Sequence, residues 1–91
     1  MSVKAMLTID LNHNVTGEQR ETFYKELLSR QWKKIDSLTT TWSASFKDGV
    51  STESAVNEAK NDVAAAAAVA KIAAYDAAVM LGPESPVIWK K

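Results

Sequence analysis

The 91-residue chain contains no cysteine, and this absence removes several classes of site. Disulfide frameworks, zinc fingers, iron–sulfur clusters and thiol catalysis all require that side chain. Glycine is scarce, and the widely separated Gly17, Gly49 and Gly82 cannot make a glycine-rich phosphate loop. His13 is the single histidine, so it is the one base that a serine–histidine–acid triad could use. No glycine-x-serine-x-glycine elbow accompanies it.

The chain also lacks an excess of charge of either sign. Lysine and arginine total 11 and aspartate and glutamate total 11, which gives a formal net charge of zero. Proteins that bind nucleic acids generally carry a basic surplus, because neutralisation of phosphates drives their affinity. The balance therefore disfavours nucleic acid as the main partner, although it leaves room for a local basic patch.

Long hydrophobic runs are missing as well. The longest, Val63 to Ala70, is eight residues and mostly alanine, whereas a bilayer span needs roughly 20 apolar residues. The first ten residues include Asp10 and show no apolar core of a signal peptide. We therefore expect a cytoplasmic protein with no membrane association. Its length predicts one domain over 1–91, small enough that dimerisation would add useful apolar burial.

Hydrophobic periodicity divides the chain into five strands and two helices. Apolar residues alternate with polar ones in the strands and recur every three or four residues in the helices. Thr16 followed by Gln19 predicts a capping box, and Ser51 or Thr52 is expected to cap the alanine-rich second helix. The predicted elements are strand Lys4–Leu11, helix Gly17–Arg30, strand Trp32–Ile35, strand Leu38–Lys47, a helix from Ser51 or Thr52 to 71–73, strand Tyr75–Leu81 and strand Val87–Lys90.

This order predicts an α+β protein of the ferredoxin-like type. A repeated strand–helix–strand unit gives a βαββαβ antiparallel sheet with both helices on one face, here with a short extra C-terminal strand. The helix-facing side of the sheet would carry Leu7, Ile9, Trp42 and Phe46. The opposite side would be small and polar, with Thr8, Asp10, Thr41, Ser43 and Ser45, and with Met6 as its apolar exception.

The end of the first strand carries the sharpest candidate site. Asp10 precedes the turn Asn12-His13-Asn14, where a carboxylate beside an amide can hold a hard cation such as Mg²⁺. Asp10 is thus the candidate metal ligand, and Asp10 and His13 are the candidate catalytic residues, since histidine titrates near neutral pH. One carboxylate is a poor metal site, and a dimer would supply the second. In the alternative interpretation Asp10 accepts turn hydrogen bonds and His13 is solvated.

Two further groups are candidate nucleic-acid or partner-binding residues. Basic side chains surround a tryptophan at Arg30, Trp32, Lys33 and Lys34, and a similar cluster ends the chain at Trp89, Lys90 and Lys91. Such an edge can bind phosphate and stack a base. Alternatively, the tryptophans are core residues and the lysines protect an edge strand. The second group is a row of hydroxyl side chains on one strand, which would either bind a ligand or face water. It comprises Thr39, Thr41, Ser43 and Ser45.

The segment Met6-Leu7-Thr8-Ile9-Asp10-Leu11-Asn12 carries a family resemblance. An apolar strand that ends in aspartate, followed by a helix, a hairpin, a second helix and a strand, resembles the small ferredoxin-like proteins around CRISPR-associated protein two and virulence-associated protein D. The resemblance spans most of the chain as a layout, and Asp10 and Asn12 match its motif positions. It implies a homodimer, and for nuclease members a shared metal held by the paired Asp10 side chains.

We expect a small non-catalytic interaction protein, a homodimer that binds another protein through its sheet or a strand edge. The absence of a catalytic cluster favours this function. The first alternative is a metal-dependent endonuclease that acts on RNA or DNA with Asp10 and Mg²⁺ at the dimer interface. The second is a small-molecule sensor with a pocket lined by Thr8, Thr41 and Ser43.

Overall fold

The computed structural model describes residues 3–11, 14–35, 38 and 40–83. The α+β class is confirmed, with four strands and two helices in this part of the chain. The elements are β1 Lys4–Leu11, α1 Gly17–Ser29, β2 Lys33–Lys34, β3 Thr41–Ser45, α2 Thr52–Ala70 and β4 Tyr75–Gly82. The strand predicted at Val87–Lys90 and the turn predicted at Asp36-Ser37 lie outside the described residues. None of the described helices combines the length and apolar character that a membrane crossing demands.

The strands form one antiparallel sheet in the order β2-β3-β1-β4. The central strand β1 pairs with β4 from Lys4 opposite Gly82 to Leu11 opposite Tyr75. On its other side β1 pairs with β3, and β3 pairs in turn with the two-residue β2. The edges of the described sheet are therefore a very short strand, β2, and a long one, β4.

Helix α1 begins at Gly17, as predicted, because Thr16 and Gln19 form the expected capping box. The Thr16 hydroxyl accepts a hydrogen bond from the Gln19 amide at 3.1 Å, and the Gln19 side-chain oxygen accepts one from the Thr16 amide at 2.9 Å. The Gln19 side-chain amide also donates to the Lys71 carbonyl oxygen at 3.0 Å. This bond ties the beginning of α1 to the end of α2, so the capping residue also orients the two helices.

Both helices cover the same face of the sheet and enclose one core. The Ser51 hydroxyl caps α2 by accepting from the Ser54 amide at 3.1 Å. Most of the buried positions of α2 are alanines, whose small side chains allow the helix to lie close to the strands. The core cluster comprises Ala5, Leu7, Ile9, Phe23, Leu27, Trp32, Trp42, Ala59, Val63, Ala66, Ala67, Ala70 and Ile72.

The central hairpin differs from the prediction in length and in the placement of Thr41. Both of its strands are shorter than expected, and Thr41, predicted to be exposed, is buried at 7% exposure. Its carbonyl oxygen accepts from the Ile35 amide at 3.0 Å, and its own amide donates to the Leu38 carbonyl oxygen at 3.4 Å. Ile35 and Leu38 thus bond to this end of the strand, and the buried Thr41 is not part of the exposed hydroxyl row.

Candidate functional site

The strand register determines which side chains lie on the open face of the sheet, the face opposite the helices. Ala5, Leu7 and Ile9 are buried, so the intervening residues of β1 point to the open face. Directly paired residues of antiparallel strands point to the same side. The register therefore places side chains from all four strands in one row, namely Lys33, Ser43, Met6 and Met80.

Asp10 has a second carboxylate as its neighbour. It is exposed, and its register partner in β4 is the exposed Asp76. Paired residues place their Cβ atoms about 4.5–5.5 Å apart, and like charges in such a pair are destabilising. The prediction that a dimer would supply a second carboxylate stays a prediction, and the chain itself places Asp76 beside Asp10. No group of three or more acidic or histidine side chains gathers among the described residues, and His13 lies outside them.

Trp32 and Arg30 belong to a polar network between the helices. Trp32 is 1% exposed, and its Nε1 donates to Asp62 Oδ2 at 3.0 Å. Arg30 donates to Asp62 Oδ1 at 3.3 Å and to Glu26 Oε2 at 2.9 Å. Both hydrogen bonds raise the pKa of Arg30, and the bond to Glu26 has the larger effect. The burial of Trp32 agrees with the alternative interpretation, in which it is a core residue, and leaves no exposed ring to act as a stacking platform.

The two lysines of β2 lie on opposite faces of the sheet. Lys33 is exposed on the open face, in the row with Ser43. The Lys34 ammonium lies 5.8 Å from the ring centroid of Tyr24, a residue of α1. Within the part of the chain that the structure describes, the cations of the predicted basic edge therefore do not form a single patch, since they point in different directions. Trp89, Lys90 and Lys91 lie outside the described residues.

The long edge strand β4 is the most unusual surface of the described structure. One side of β4 is hydrogen-bonded to β1 along its whole length, and no described strand pairs with the other side. β4 carries a single charged residue, Asp76, and Met80 is 69% exposed. Edge strands are usually short or charged because free backbone groups recruit other strands. The opposite edge, β2, follows that rule with two residues, both lysine, whereas β4 does not.

An apolar groove runs beside β4 on the helix side of the sheet, with a volume of about 220 Å³. From β4 it is lined by Tyr75, Ala77, Ala78 and Val79, from α2 by Ala59, Lys60 and Val63, and from β1 by Leu7. Lys60 is the only charged side chain that the described residues contribute to it. The groove lies away from Thr41 and Ser43, so it is not the hydroxyl-lined pocket that a sensor function predicts.

Sequence reasoning missed Asp62, Asp76 and the exposed edge of β4. Asp76 and the edge become visible only through strand order and register, and Asp62 only through its contacts with Arg30 and Trp32. In comparisons with known proteins, no family model, no curated protein and no solved structure matches the chain. A functional assignment therefore depends on the geometry of β4 and of the open face.

Proposed function

We propose that this chain is a non-catalytic interaction protein that binds an extended strand along β4. The observation that carries the proposal is the edge of β4 that no strand among the described residues of 3–83 covers, which has eight residues and a single charge. The backbone amides and carbonyls on that edge, which no described strand engages, can continue the sheet into a partner, as in other cases of strand addition. The βαββαβ order and the strand order β2-β3-β1-β4 support a ferredoxin-like arrangement, in which β4 occupies the sheet edge.

The side chains around β4 define what such a partner strand would present. Alternate residues of an added strand point to the two faces of the sheet. Those on the helix side would meet the groove between β4 and α2, whose lining of Ala77, Val79 and Val63 favours small aliphatic side chains. Those on the open face would lie beside Ala78 and Met80. The backbone would supply affinity, and the groove would supply selectivity.

A photo-crosslinking amino acid in place of Met80 tests this proposal. Met80 lies on β4 and is 69% exposed, whereas Leu28 lies on α1 and is 54% exposed, so a probe at Leu28 is the matched control. We expect irradiated cells to yield adducts from position 80, with the attachment site mapped to an extended segment by mass spectrometry. Position 28 should yield far fewer. Equal yields from both positions, or none from position 80, would contradict the proposal.

One observation favours metal-dependent phosphodiester cleavage as a second candidate function. Asp10 and Asp76 are register partners on the open face, and Mg²⁺ is commonly bound by one or two carboxylates while it keeps several waters. The two residues therefore fit such an ion, and they would hold it at the exposed end of β1. A bound Mg²⁺ would neutralise charge on a phosphodiester.

Substitution of Asp10 by asparagine distinguishes this candidate. Without Mg²⁺, Asp10→Asn should raise the free energy of unfolding by roughly 0.2–1 kcal/mol, because it removes a like-charge pair. Mg²⁺ should raise the melting temperature of the unsubstituted protein and support its cleavage of RNA or DNA, and Asp10→Asn should lose both effects. Glu21→Gln, which alters an exposed pair with Lys25 at 3.8 Å, is the control. An unchanged Mg²⁺ response in Asp10→Asn would exclude this site.

A further inference from the structure

We infer that the strand bound by β4 is β4 of a second copy, in an antiparallel pair centred on Ala78. This inference rests on the proposed function, since it names the partner of the same edge. A two-fold axis perpendicular to the sheet would join the two sheets of four described strands into one of eight, with the four described helices on one face. Such a pairing is isologous, so it closes and does not propagate into a filament.

On the helix side, the side chains of β4 are complementary to those of a second copy in this register. Ala77 would lie opposite the second copy's Val79, so a small residue meets a larger one twice across the axis. On the open face, Ala78 would meet its own counterpart, and Met80 would lie opposite the second copy's Asp76. In this register each residue pairs with one that points to the same face of the sheet. Each side chain therefore keeps the face that it has in the single chain.

Charge selects the antiparallel direction. Asp76 lies toward one end of β4, two residues from Ala78. Antiparallel pairing about Ala78 offsets the two Asp76 residues by four positions, or about 13 Å along the strand at 3.3 Å per residue. That offset exceeds the Debye length of about 8 Å at physiological salt. An in-register parallel pair would instead place them on adjacent strands about 4.8 Å apart, where like charges repel.

The contrast between the two edges favours self-association at β4. After pairing, both ends of the eight-stranded sheet would be β2, a two-residue strand made of Lys33 and Lys34. Short, charged edges of that kind resist further pairing. The dimer would also cover exposed apolar side chains, including Met80, and would join the two grooves beside α2. Lys60 at the groove can keep its ammonium in water while its alkyl stem stays in apolar contact.

Substitutions that place a charge at the two-fold axis test both the identity of the partner and the register of the pairing. Ala78 is exposed on β4, and Ala68, also exposed, on α2 gives a matched control. We expect sedimentation over a micromolar concentration series to show a dimer of the unsubstituted protein. Ala78→Lys and Ala78→Glu should each raise the dimer dissociation constant by about tenfold or more, because like charges would meet at the axis. Ala68→Lys should leave it unchanged.

An equimolar mixture of Ala78→Lys and Ala78→Glu should restore a dimer of one chain of each kind, with circular dichroism confirming that both variants are folded. A monomeric unsubstituted protein, a dimer indifferent to Ala78→Lys, or a mixture that stays monomeric would overturn the inference. If the probe at Met80 then captures a strand of another protein, the proposed function survives without self-pairing. If the probe captures nothing, both the proposed function and the inferred self-pairing are wrong.

Discussion

Replacement of Phe23 by alanine is expected to lower the free energy of unfolding by about 3–5 kcal/mol. Phe23 is fully buried at 0% exposure, and its ring meets Tyr24 edge-on with centroids 6.3 Å apart. It anchors α1 in a core whose contribution from α2 is mostly alanine, so few large side chains can relax into the cavity. Small domains have total stabilities of about 5–15 kcal/mol, and the loss would therefore be a large part of the whole.

Chemical denaturation followed by circular dichroism measures this loss, and Leu28→Ala provides the matched control. Leu28 is on the same helix but is 54% exposed, so its truncation should change the free energy of unfolding by less than about 0.5 kcal/mol. Alanine is the best helix former, and propensity therefore cannot explain a loss at Phe23. Similar values for the two variants would show that Phe23 does not anchor the core.

The elements whose signals are local could be predicted from the sequence. The bounds of β1, Lys4–Leu11, agree with the alternation of its side chains, and α1 begins at Gly17 because Thr16 and Gln19 form the predicted capping box. Both signals depend on neighbours within four residues. The α+β class follows from the order of such elements, which is why it was also predicted.

The candidate site depends on contacts between distant parts of the chain, and the sequence carried little sign of them. Asp76 becomes the neighbour of Asp10 only because β4 pairs with β1 in one particular register. Trp32, with basic residues around it, has the composition of a binding edge. It is instead buried in the core, and its indole N–H donates to a partner 30 positions away, Asp62, which in the sequence is one polar residue on an alanine-rich helix. Pairing and tertiary contacts of this kind leave no periodic pattern.

Removal of the carboxylate of Asp62 is expected to be the most damaging change to a polar side chain. Asp62 is buried and accepts hydrogen bonds from Trp32 Nε1 at 3.0 Å and from Arg30 at 3.3 Å. Asp62→Ala would leave the buried indole N–H of Trp32 without a partner, at a cost of about 1–3 kcal/mol. The bond to Arg30 should contribute less, because that side chain is partly exposed and solvent screens its charge.

A double-substitution cycle with Trp32→Phe isolates the buried hydrogen bond. Trp32→Phe removes the indole N–H, so adding Asp62→Ala in that background should cost less than Asp62→Ala alone. Asp62→Asn, which keeps an acceptor oxygen for Trp32, should fall between the unsubstituted protein and Asp62→Ala in denaturant unfolding. Additive losses from Asp62→Ala and Trp32→Phe would contradict this assignment. Coupling between them would show that the hydrogen bond from Trp32 to Asp62 contributes to the free energy of unfolding.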